Sequence, residues 1–159
     1  MILLKFATEI KGTSKIAKHE NWIELDSLQF GVGRAISNVG GSADRETSNP
    51  SFSEITCSKS TDKASPELFM QAIGGKSLGK AEFHFLNTGG IDKKEQVYLT
   101  IEVEGAMLSS YSASSGGDRP TESFSINFTK ISYKYDTFTG DKIETGTAKK
   151  WDLQKNAIY

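Results

Sequence analysis

Residues 121–135 read TESFSINFTKISYKY, and this stretch determines the fold that we predict for the chain. Its apolar side chains occupy even positions from Phe124 to Phe128 and odd positions from Ile131 to Tyr135. Alternation with a period of two is typical of a β-strand with one buried face. Because the buried face changes sides between the two halves, the strand must bend or contain a bulge between them.

Two other stretches change phase in the same way. Between Trp22 and about Ile36 the apolar positions are odd up to residue 25 and even from residue 28, so we place a bend near Asp26 and Ser27. The strand that starts at Gln96 has odd apolar positions, reaches Gly105 and continues on even positions. Strands that swap faces cross from one sheet to another at corners. We therefore predict a mainly β chain in which two packed antiparallel sheets form a small barrel-like sandwich.

Alternation also predicts three shorter strands, at residues 2–6, 51–60 and 80–87. In the second of these strands Ile55 and Cys57 point to the same, apolar side. A buried cysteine behaves as a small hydrophobic residue. We therefore expect Cys57 to pack in the core and not to act as a nucleophile.

Residues 65–75 predict one α-helix on the flank of the sheets. Ser65 is a candidate N-cap, Pro66 suits the first helical position, and Gly74-Gly75 ends the pattern. One face carries the apolar side chains of Leu68, Phe69, Ala72 and Ile73. A helix of this length is not stable alone, so we expect it to pack on the sheets.

Composition and charge exclude several classes of function. The 159 residues suit one domain over residues 1–159. The net charge of −1, from 19 basic and 20 acidic residues, gives no basic field, so we expect no nucleic-acid partner. Cys57 is the only cysteine, so no intrachain disulfide can form. We also expect no signal peptide and no membrane insertion, because no apolar run approaches the roughly 20 residues of a membrane span.

Few residues are candidates for catalysis or metal binding. His19 and His84 are far apart in sequence, and no matched histidine or cysteine spacing suggests a metal site, so we predict solvated positions for both histidines. Asp118 and Glu122 could act as paired carboxylates, but the sequence supplies no third catalytic partner for them. Phosphate-binding glycine motifs are also lacking. We therefore predict no enzymatic activity, no metal and no cofactor.

Two segments depart from the alternating pattern. Residues 37–50 are polar, with only Val39 and Ala43 as apolar residues, and form an extended loop. Loops longer than roughly 12–15 residues are uncommon in compact domains and are often functional. The C-terminal extension, about residues 137–159, is polar until Trp151 and ends on Ile158-Tyr159. These late apolar residues predict a final strand or a docked segment.

Four stretches, in order along the chain, resemble the Hcp family, whose members form the tube of bacterial type VI secretion systems. The stretches are Trp22–Ser27 with Gly31–Gly33, then Thr61–Leu68, Asp118–Phe128 and Lys149–Leu153. The stretch DRPTESFSINF is the most characteristic of the four. The resemblance implies a sandwich of two sheets with one helix and an extended loop, in agreement with the pattern of the strands.

The resemblance also implies a function. Hcp proteins form six-membered rings that stack into a tube inside a contractile sheath. The tube is capped by a spike protein, carries small effector proteins in its lumen and is expelled into target cells. We therefore expect a structural subunit that is made in the bacterial cytoplasm, exported by this system without a signal peptide, and active through contacts with itself. A ring closes when one head-to-tail contact repeats, so each subunit needs two different complementary surfaces.

The sequence offers two candidate contact regions. We predict that the extended loop mediates contact between rings through Val39, Arg45 and Glu46, and that Arg45 and Glu46 pair across it.

The charged cluster beside the last long strand is the second region. It consists of Asp118, Arg119, Thr121 and Glu122, and we predict that it touches a neighbouring subunit. An internal ion pair that holds the loop is an equally good interpretation of these charges.

Two alternative functions remain open from the sequence. A ring-shaped receptor or chaperone for effectors overlaps with the tube subunit. A carbohydrate-binding β-sandwich is a different class, in which Trp22, Trp151 and tyrosines would stack on sugars.

Overall fold

The computed structural model describes residues 1–37, 47–88, 95–140 and 142–159, with no account of the Thr88 side chain. Strands dominate this part of the chain, and one helix accompanies them. In chain order the elements are β1 (Ile2–Phe6), β2 (Ile23–Leu25), β3 (Ser27–Gln29), β4 (Val32–Gly33), β5 (Ser51–Phe52), β6 (Ile55–Ser60), α1 (Ser65–Gly74), β7 (Ala81–Thr88), β8 (Glu95–Glu104), β9 (Met107–Ser114), β10 (Thr121–Asn127), β11 (Lys130–Tyr135), β12 (Thr137–Thr139), β13 (Lys142–Glu144) and β14 (Lys149–Asp152).

Two antiparallel sheets build the molecule, as the alternation predicts. The larger sheet has the strand order β14-β11-β8-β7-β1-β2, and the smaller sheet has the order β3-β6-β10-β9. Short two-stranded ribbons, β4-β5 and β12-β13, lie outside these sheets. The mainly β class is confirmed. The sheets do not close into a barrel within the described residues, so both keep open edges.

All three predicted changes of face are places where the chain passes from one sheet to the other. The chain leaves the six-stranded sheet after β2 and enters the four-stranded sheet at β3, with Asp26 between them. It crosses again between β8 and β9 and returns between β10 and β11. At the second corner Gly105 has a φ of 67°, a conformation that favours glycine. A Cβ added to Gly105 would lie 2.8 Å from the hydroxyl of Thr129, which belongs to the third corner.

The main core lies between the two sheets. The six-stranded sheet contributes buried side chains that include Leu4, Phe83 and Ile101, and the four-stranded sheet contributes Cys57 and Phe124. Cys57 is buried as predicted, and burial raises the pKa of its thiol far above the ordinary value. The thiol is therefore an inert part of the core.

The helix forms where predicted, but its first residues act differently. Ala64 is the N-cap, and the prediction that Ser65 caps the helix is wrong because the Ser65 hydroxyl is bonded inside the protein. Gly75 ends the helix as expected. Only part of the predicted apolar face is buried: Leu68 is enclosed, whereas Phe69 is 50% exposed and Ile73 is 65% exposed. No helix in the described part of the chain has the length and apolar character needed to cross a bilayer.

Other element boundaries differ from the prediction in detail. The predicted long strand after Trp22 is divided into β2, β3 and β4, and the strand predicted over 51–60 is divided into β5 and β6. The C-terminal segment forms a final strand as predicted, because β14 pairs with β11 at the edge of the six-stranded sheet. The Asp152 carboxylate accepts hydrogen bonds from the backbone N–H groups of Gln154 and Lys155, which fixes the turn after this strand.

Candidate functional site

A buried ion pair joins the two middle strands of the four-stranded sheet. The Lys59 ammonium on β6 lies 2.6 Å from Oε1 of Glu122 on β10. Both side chains are fully enclosed. The two residues are adjacent because β6 and β10 pair with Lys59 opposite Glu122.

Further polar groups complete the hydrogen bonding of this pair. The Ser65 hydroxyl donates to Oε1 of Glu122 at 2.8 Å, and Lys59 also donates to the Ser60 carbonyl at 2.9 Å. On the other carboxylate oxygen, Tyr111 donates at 2.6 Å from the neighbouring strand β9. Buried charges are tolerated when their hydrogen bonds are complete, so this network is stable inside the sandwich.

The network fixes the protonation states of its members. Burial alone would raise the pKa of the Glu122 carboxyl, but the hydrogen bonds from Lys59, Tyr111 and Ser65 outweigh burial and leave the pKa lowered. Burial, and then the carboxylate of Glu122, raise the pKa of Tyr111 to about 12. Glu122 is therefore an anion and Tyr111 a neutral donor at neutral pH.

Ser65, Lys59 and Glu122 bring together a hydroxyl, an amine and a carboxylate, which are the groups of a nucleophilic site. None of the three is accessible, because Lys59, Ser65 and Glu122 are all buried. A substrate cannot reach the Ser65 hydroxyl in this conformation. The cluster therefore ties the start of α1 to strands β6, β9 and β10 and has a structural role.

The structure separates the predicted contact residues of the charged cluster. Asp118, Arg119 and Thr121 are exposed on and beside the turn that leads into β10. The Ser115 hydroxyl closes this turn by donating to the Asp118 carbonyl at 2.6 Å. Glu122, in contrast, faces inward, so its side chain cannot touch a neighbour. The internal ion pair considered from the sequence describes Glu122, with Lys59 as the cation in place of Arg119.

The residues predicted for the extended loop, Val39, Arg45 and Glu46, lie outside the described residues. The base of the loop is described. Its two sides run antiparallel through β4 and β5 and through a bridge between Ile36 and Thr47. The Ala35 N–H donates to the Ser48 hydroxyl at 2.7 Å, which ties the two sides together. The base of the loop is thus a paired, two-sided ribbon.

Open sheet edges are the second feature suited to assembly. Strand β9 forms one edge of the four-stranded sheet over eight residues, and β14 and β2 form the edges of the six-stranded sheet. An edge strand presents backbone N–H and C=O groups that can pair with another chain. Beside β9, α1 exposes Phe69, Met70 and Ile73, and Phe69 packs edge-to-face on Tyr111.

The prediction that both histidines are solvated is wrong. Nε2 of His19 lies 2.8 Å from Nδ1 of His84, and His19 is only 8% exposed. Trp22 packs on both rings and is 7% exposed, so it offers no face for a sugar. The continuous apolar run Ile2-Leu3-Leu4 was the available signal, because a strand with three consecutive apolar residues is covered on both faces.

Metal-binding potential is low in the part of the chain that the structure describes. No group of three or more histidine, cysteine, aspartate or glutamate side chains is placed to hold an ion among those residues. The described surface also offers outer strands of the sheets, exposed apolar side chains on α1, the paired base of the loop and a polar turn.

Comparison with known proteins agrees with this description. Residues 4–135 match the model of a family described as "Type VI secretion system effector, Hcp". Protein Hcp1 of Pseudomonas aeruginosa is 30% identical over 107 residues, which span 65% of this chain and 65% of Hcp1.

Solved structures share the fold over nearly the whole chain. A type six secretion system protein superposes with a TM-score of 0.89 at 24% identity, covering 99% of this chain and 98% of that protein. Hcp1 of Salmonella typhimurium superposes with a TM-score of 0.76 at 21% identity, covering 99% of this chain and 97% of its own. Because the family model matches residues 4–135, which run from β1 through β11, this chain belongs to the Hcp family of type VI secretion systems.

Proposed function

We propose that this chain is a structural subunit of the inner tube of a type VI secretion system. Six copies form a ring, rings stack into a tube, and contraction of the surrounding sheath expels the tube. The observation that carries the proposal is the family match over residues 4–135. The open sheet edges support it, because a subunit that assembles through its strands needs unpaired edges.

Ring closure requires two different surfaces that fit each other. We infer that one surface is β9 with the exposed apolar side chains Phe69, Met70 and Ile73 of α1 beside it. The partner surface is an edge of the six-stranded sheet, whose outer strands are β14 and β2. Edge pairing would satisfy the backbone groups, and burial of the α1 side chains would add roughly 25 cal/mol for each Å² removed from water.

Stacking of rings is assigned to the extended loop, with Val39, Arg45 and Glu46 as its contact residues. Support comes from the base of the loop, where β4 and β5 hold its two sides together. Asp118, Arg119 and Thr121 are retained as contacts to a neighbouring subunit, because their side chains are exposed. Glu122 is buried, so we assign it an indirect role: its ion pair with Lys59 holds β10 in place beside these contacts.

The same proposal defines the partners and the route of the protein. A spike protein caps the tube, the sheath surrounds it, and small effector proteins occupy its lumen, where the ring acts as their receptor. The chain itself is not an enzyme. It is made in the cytoplasm and leaves by the type VI system.

The first test is the mass of the protein in solution, measured by light scattering after size exclusion over a series of concentrations. We expect a species near six times the chain mass of 17.4 kDa, with smaller forms only on dilution. A monomer at every concentration would contradict self-assembly of the chain alone.

Arg119→Ala tests the turn as a contact in the same experiment. If Arg119 touches a neighbour, the hexamer should dissociate at a higher concentration than the unaltered protein. Lys63→Ala, at another solvent-accessible position, serves as the control variant. An Arg119→Ala protein that stays hexameric to the same dilution would remove this residue from the interface.

A further inference from the structure

The two histidines of the chain meet on the side of the six-stranded sheet that faces away from the main core. His84 on β7 pairs with Leu3 on β1, and both point away from the side occupied by Leu4 and Phe83. Nε2 of His19 contacts Nδ1 of His84 at 2.8 Å across 65 residues of sequence. The Trp22 ring closes the site, with ring centroids 4.7 Å from His19 and 4.6 Å from His84.

The positions of the ring nitrogens restrict where protons can sit. Nδ1 of His19 is buried and has no hydrogen-bond partner among the described residues. If both rings are neutral and His19 donates through Nε2, this Nδ1 carries only a lone pair. Any state that holds an additional proton and keeps the contact places an N–H on Nδ1 of His19. A buried N–H without an acceptor is costly, so the closed contact disfavours the additional proton.

A second additional proton would remove the hydrogen bond between the two rings altogether. With both rings cationic, both facing nitrogens would carry a proton and the hydrogen bond would be lost. Two positive rings would then lie with their centroids 5.1 Å apart. Like charges at this distance, with His19 buried and His84 half-buried, repel each other.

The contact holds one segment against the sheet. We define the latch segment as residues 12–22, between β1 and β2. Backbone hydrogen bonds from Gly12 to the Asn21 carbonyl and from Ser14 to the Trp22 carbonyl shape it as a narrow loop. Lys18 and Asn21 have positive φ angles of 69° and 64°, so strain at these non-glycine residues would be relieved by opening.

Beneath the latch segment lies a small apolar cluster that is separate from the main core. Its buried members are Leu3, Trp22 and Leu86, and Ile16 packs against them. Val97 on β8 also packs against the cluster, and His19 and Ile16 of the latch segment lie on it from outside the sheet. Opening of the segment would therefore expose apolar surface locally without disturbing the sandwich.

Charged groups on the neighbouring elements also face the region around the imidazoles. They are Lys5 on β1, Glu24 on β2, Lys80 just before β7, Glu82 on β7, Glu102 on β8, Lys134 on β11, and Lys15, Lys18 and Glu20 in the latch segment. Glu82 and Glu102 both bind the ammonium of Lys80, at 2.7 and 3.0 Å. Lys5 lies 5.8 Å from the centre of the Trp22 ring. The carboxylates nearest to His84 are therefore bound to Lys80, which offsets only one of their two negative charges.

We propose that the His19–His84 contact is an acid-sensitive latch. While both rings are neutral, it fastens residues 12–22 to the six-stranded sheet. When the pair takes up protons, the segment opens and exposes the cluster of Leu3, Trp22 and Leu86. This inference does not depend on the proposed tube function.

The direction of the pH dependence follows from the closed geometry. Burial lowers the pKa of His84, the neighbouring His19 lowers it further, and Glu82 and Glu102 act in the opposite direction. When the segment opens, His84 regains the ordinary pKa of 6.5, so opening takes up a proton below that pH. The latch is complete above pH 6.5 and is lost as the pH falls. Each unit of difference between the two pKa values raises the opening constant about tenfold in acid.

The test uses the full chain with Trp151→Phe, which leaves Trp22 as the only tryptophan. Its fluorescence is recorded from about pH 7.5 to about pH 5, the range in which histidine titrates. Far-UV circular dichroism and light scattering are recorded at each pH. In parallel, NMR follows the two imidazoles of the unaltered chain, which are the only histidines.

The matched control replaces the rings by amides in the same background. His19→Gln keeps a donor near the Nε2 position, and His84→Asn keeps an acceptor near the Nδ1 position, so the double variant retains the contact without titrating. His19→Gln alone serves if the double variant does not fold.

We expect the Trp22 emission to move to longer wavelength below pH 6.5 while the circular dichroism stays constant. The amide variant should show no such change, and the imidazole of His84 should titrate below 6.5. Three results would each overturn the latch: an unchanged Trp22 signal down to about pH 5, the same shift in the amide variant, or loss of secondary structure over the same pH range.

Discussion

Lys59 and Glu122 form an ion pair of 2.6 Å between two paired strands, and neither side chain is exposed to solvent. The pair lies where α1 meets the four-stranded sheet, since Ser65 at the helix start and Tyr111 on β9 bond the same carboxylate. A contact of this kind is sensitive to removal of one partner, because the other charge then stays buried without compensation.

Glu122→Gln should therefore destabilise the chain by about 3 kcal/mol, the lower end of the range for a broken buried ion pair. The lower end applies because Asp62 still lies 2.9 Å from the Lys59 ammonium. Urea unfolding followed by circular dichroism measures the loss. An unfolding free energy within about 0.5 kcal/mol of the unaltered protein would contradict the prediction.

Two variants control this experiment. Lys63→Ala changes an exposed charge beside Asp62 and should shift stability by no more than about 0.5 kcal/mol. The double variant Lys59→Met with Glu122→Leu should recover part of the loss, because no buried charge is left without a partner. A double variant less stable than Glu122→Gln would show that the hydroxyls of Ser65 and Tyr111 dominate.

Acid should lower the free energy of unfolding through protonation of the Glu122 carboxylate. The pKa of Glu122 is lowered in the folded protein, because the hydrogen bonds from Lys59, Tyr111 and Ser65 outweigh burial. Its stabilisation is complete above the ordinary value of 4.5 and is lost as the pH falls towards the lowered value. Urea midpoints across this range should fall less steeply for Glu122→Gln. Equal slopes of the urea midpoint against pH in the two proteins would exclude Glu122 as the titrating group. The pH range of this effect lies below the range in which the histidine latch opens.

Gly105→Ala should destabilise the corner between β8 and β9 by about 1–3 kcal/mol. The cause is twofold: φ is 67°, and the new Cβ would meet the Thr129 side chain of the neighbouring corner. Thermal and urea unfolding measure the effect. Gly116→Ala is the control, because no atom lies within 4 Å of its added Cβ, and no loss is expected there.

Replacement of residues 39–46 by a short Gly-Ser linker should leave hexamers intact and abolish tubes. The reason is that the linker keeps the paired base of the loop, at Ile36 and Thr47, but removes Val39, Arg45 and Glu46. Light scattering reports hexamers and electron microscopy reports tubes. Tubes of normal length from this variant would exclude the loop as the stacking contact.

The alternation of the strands was sufficient to predict the class of fold and the places where the chain changes sheets. The phase changes near Asp26, at Gly105 and after Phe128 each mark a passage between sheets. The reason is local: side chains alternate along a strand, so a change in the buried parity requires a change in the backbone at that point. The helix over Ser65–Gly74 was predictable for the same reason, since its proline and glycine signals lie within a few residues.

The contacts between distant residues were decided only by the tertiary structure. Lys59 and Glu122 are 63 residues apart, and His19 and His84 are 65 apart, so no spacing in the sequence relates them. Strand register places the first pair, and the fold of residues 12–22 over β1 and β7 places the second. For this reason the sequence left open whether Glu122 contacts a neighbouring subunit or forms an internal ion pair, and it predicted both histidines in solvent. The alternation of a strand indicates which side of the sheet each residue faces. The neighbouring strands and loops decide whether that side is buried and which charged group lies opposite a given residue.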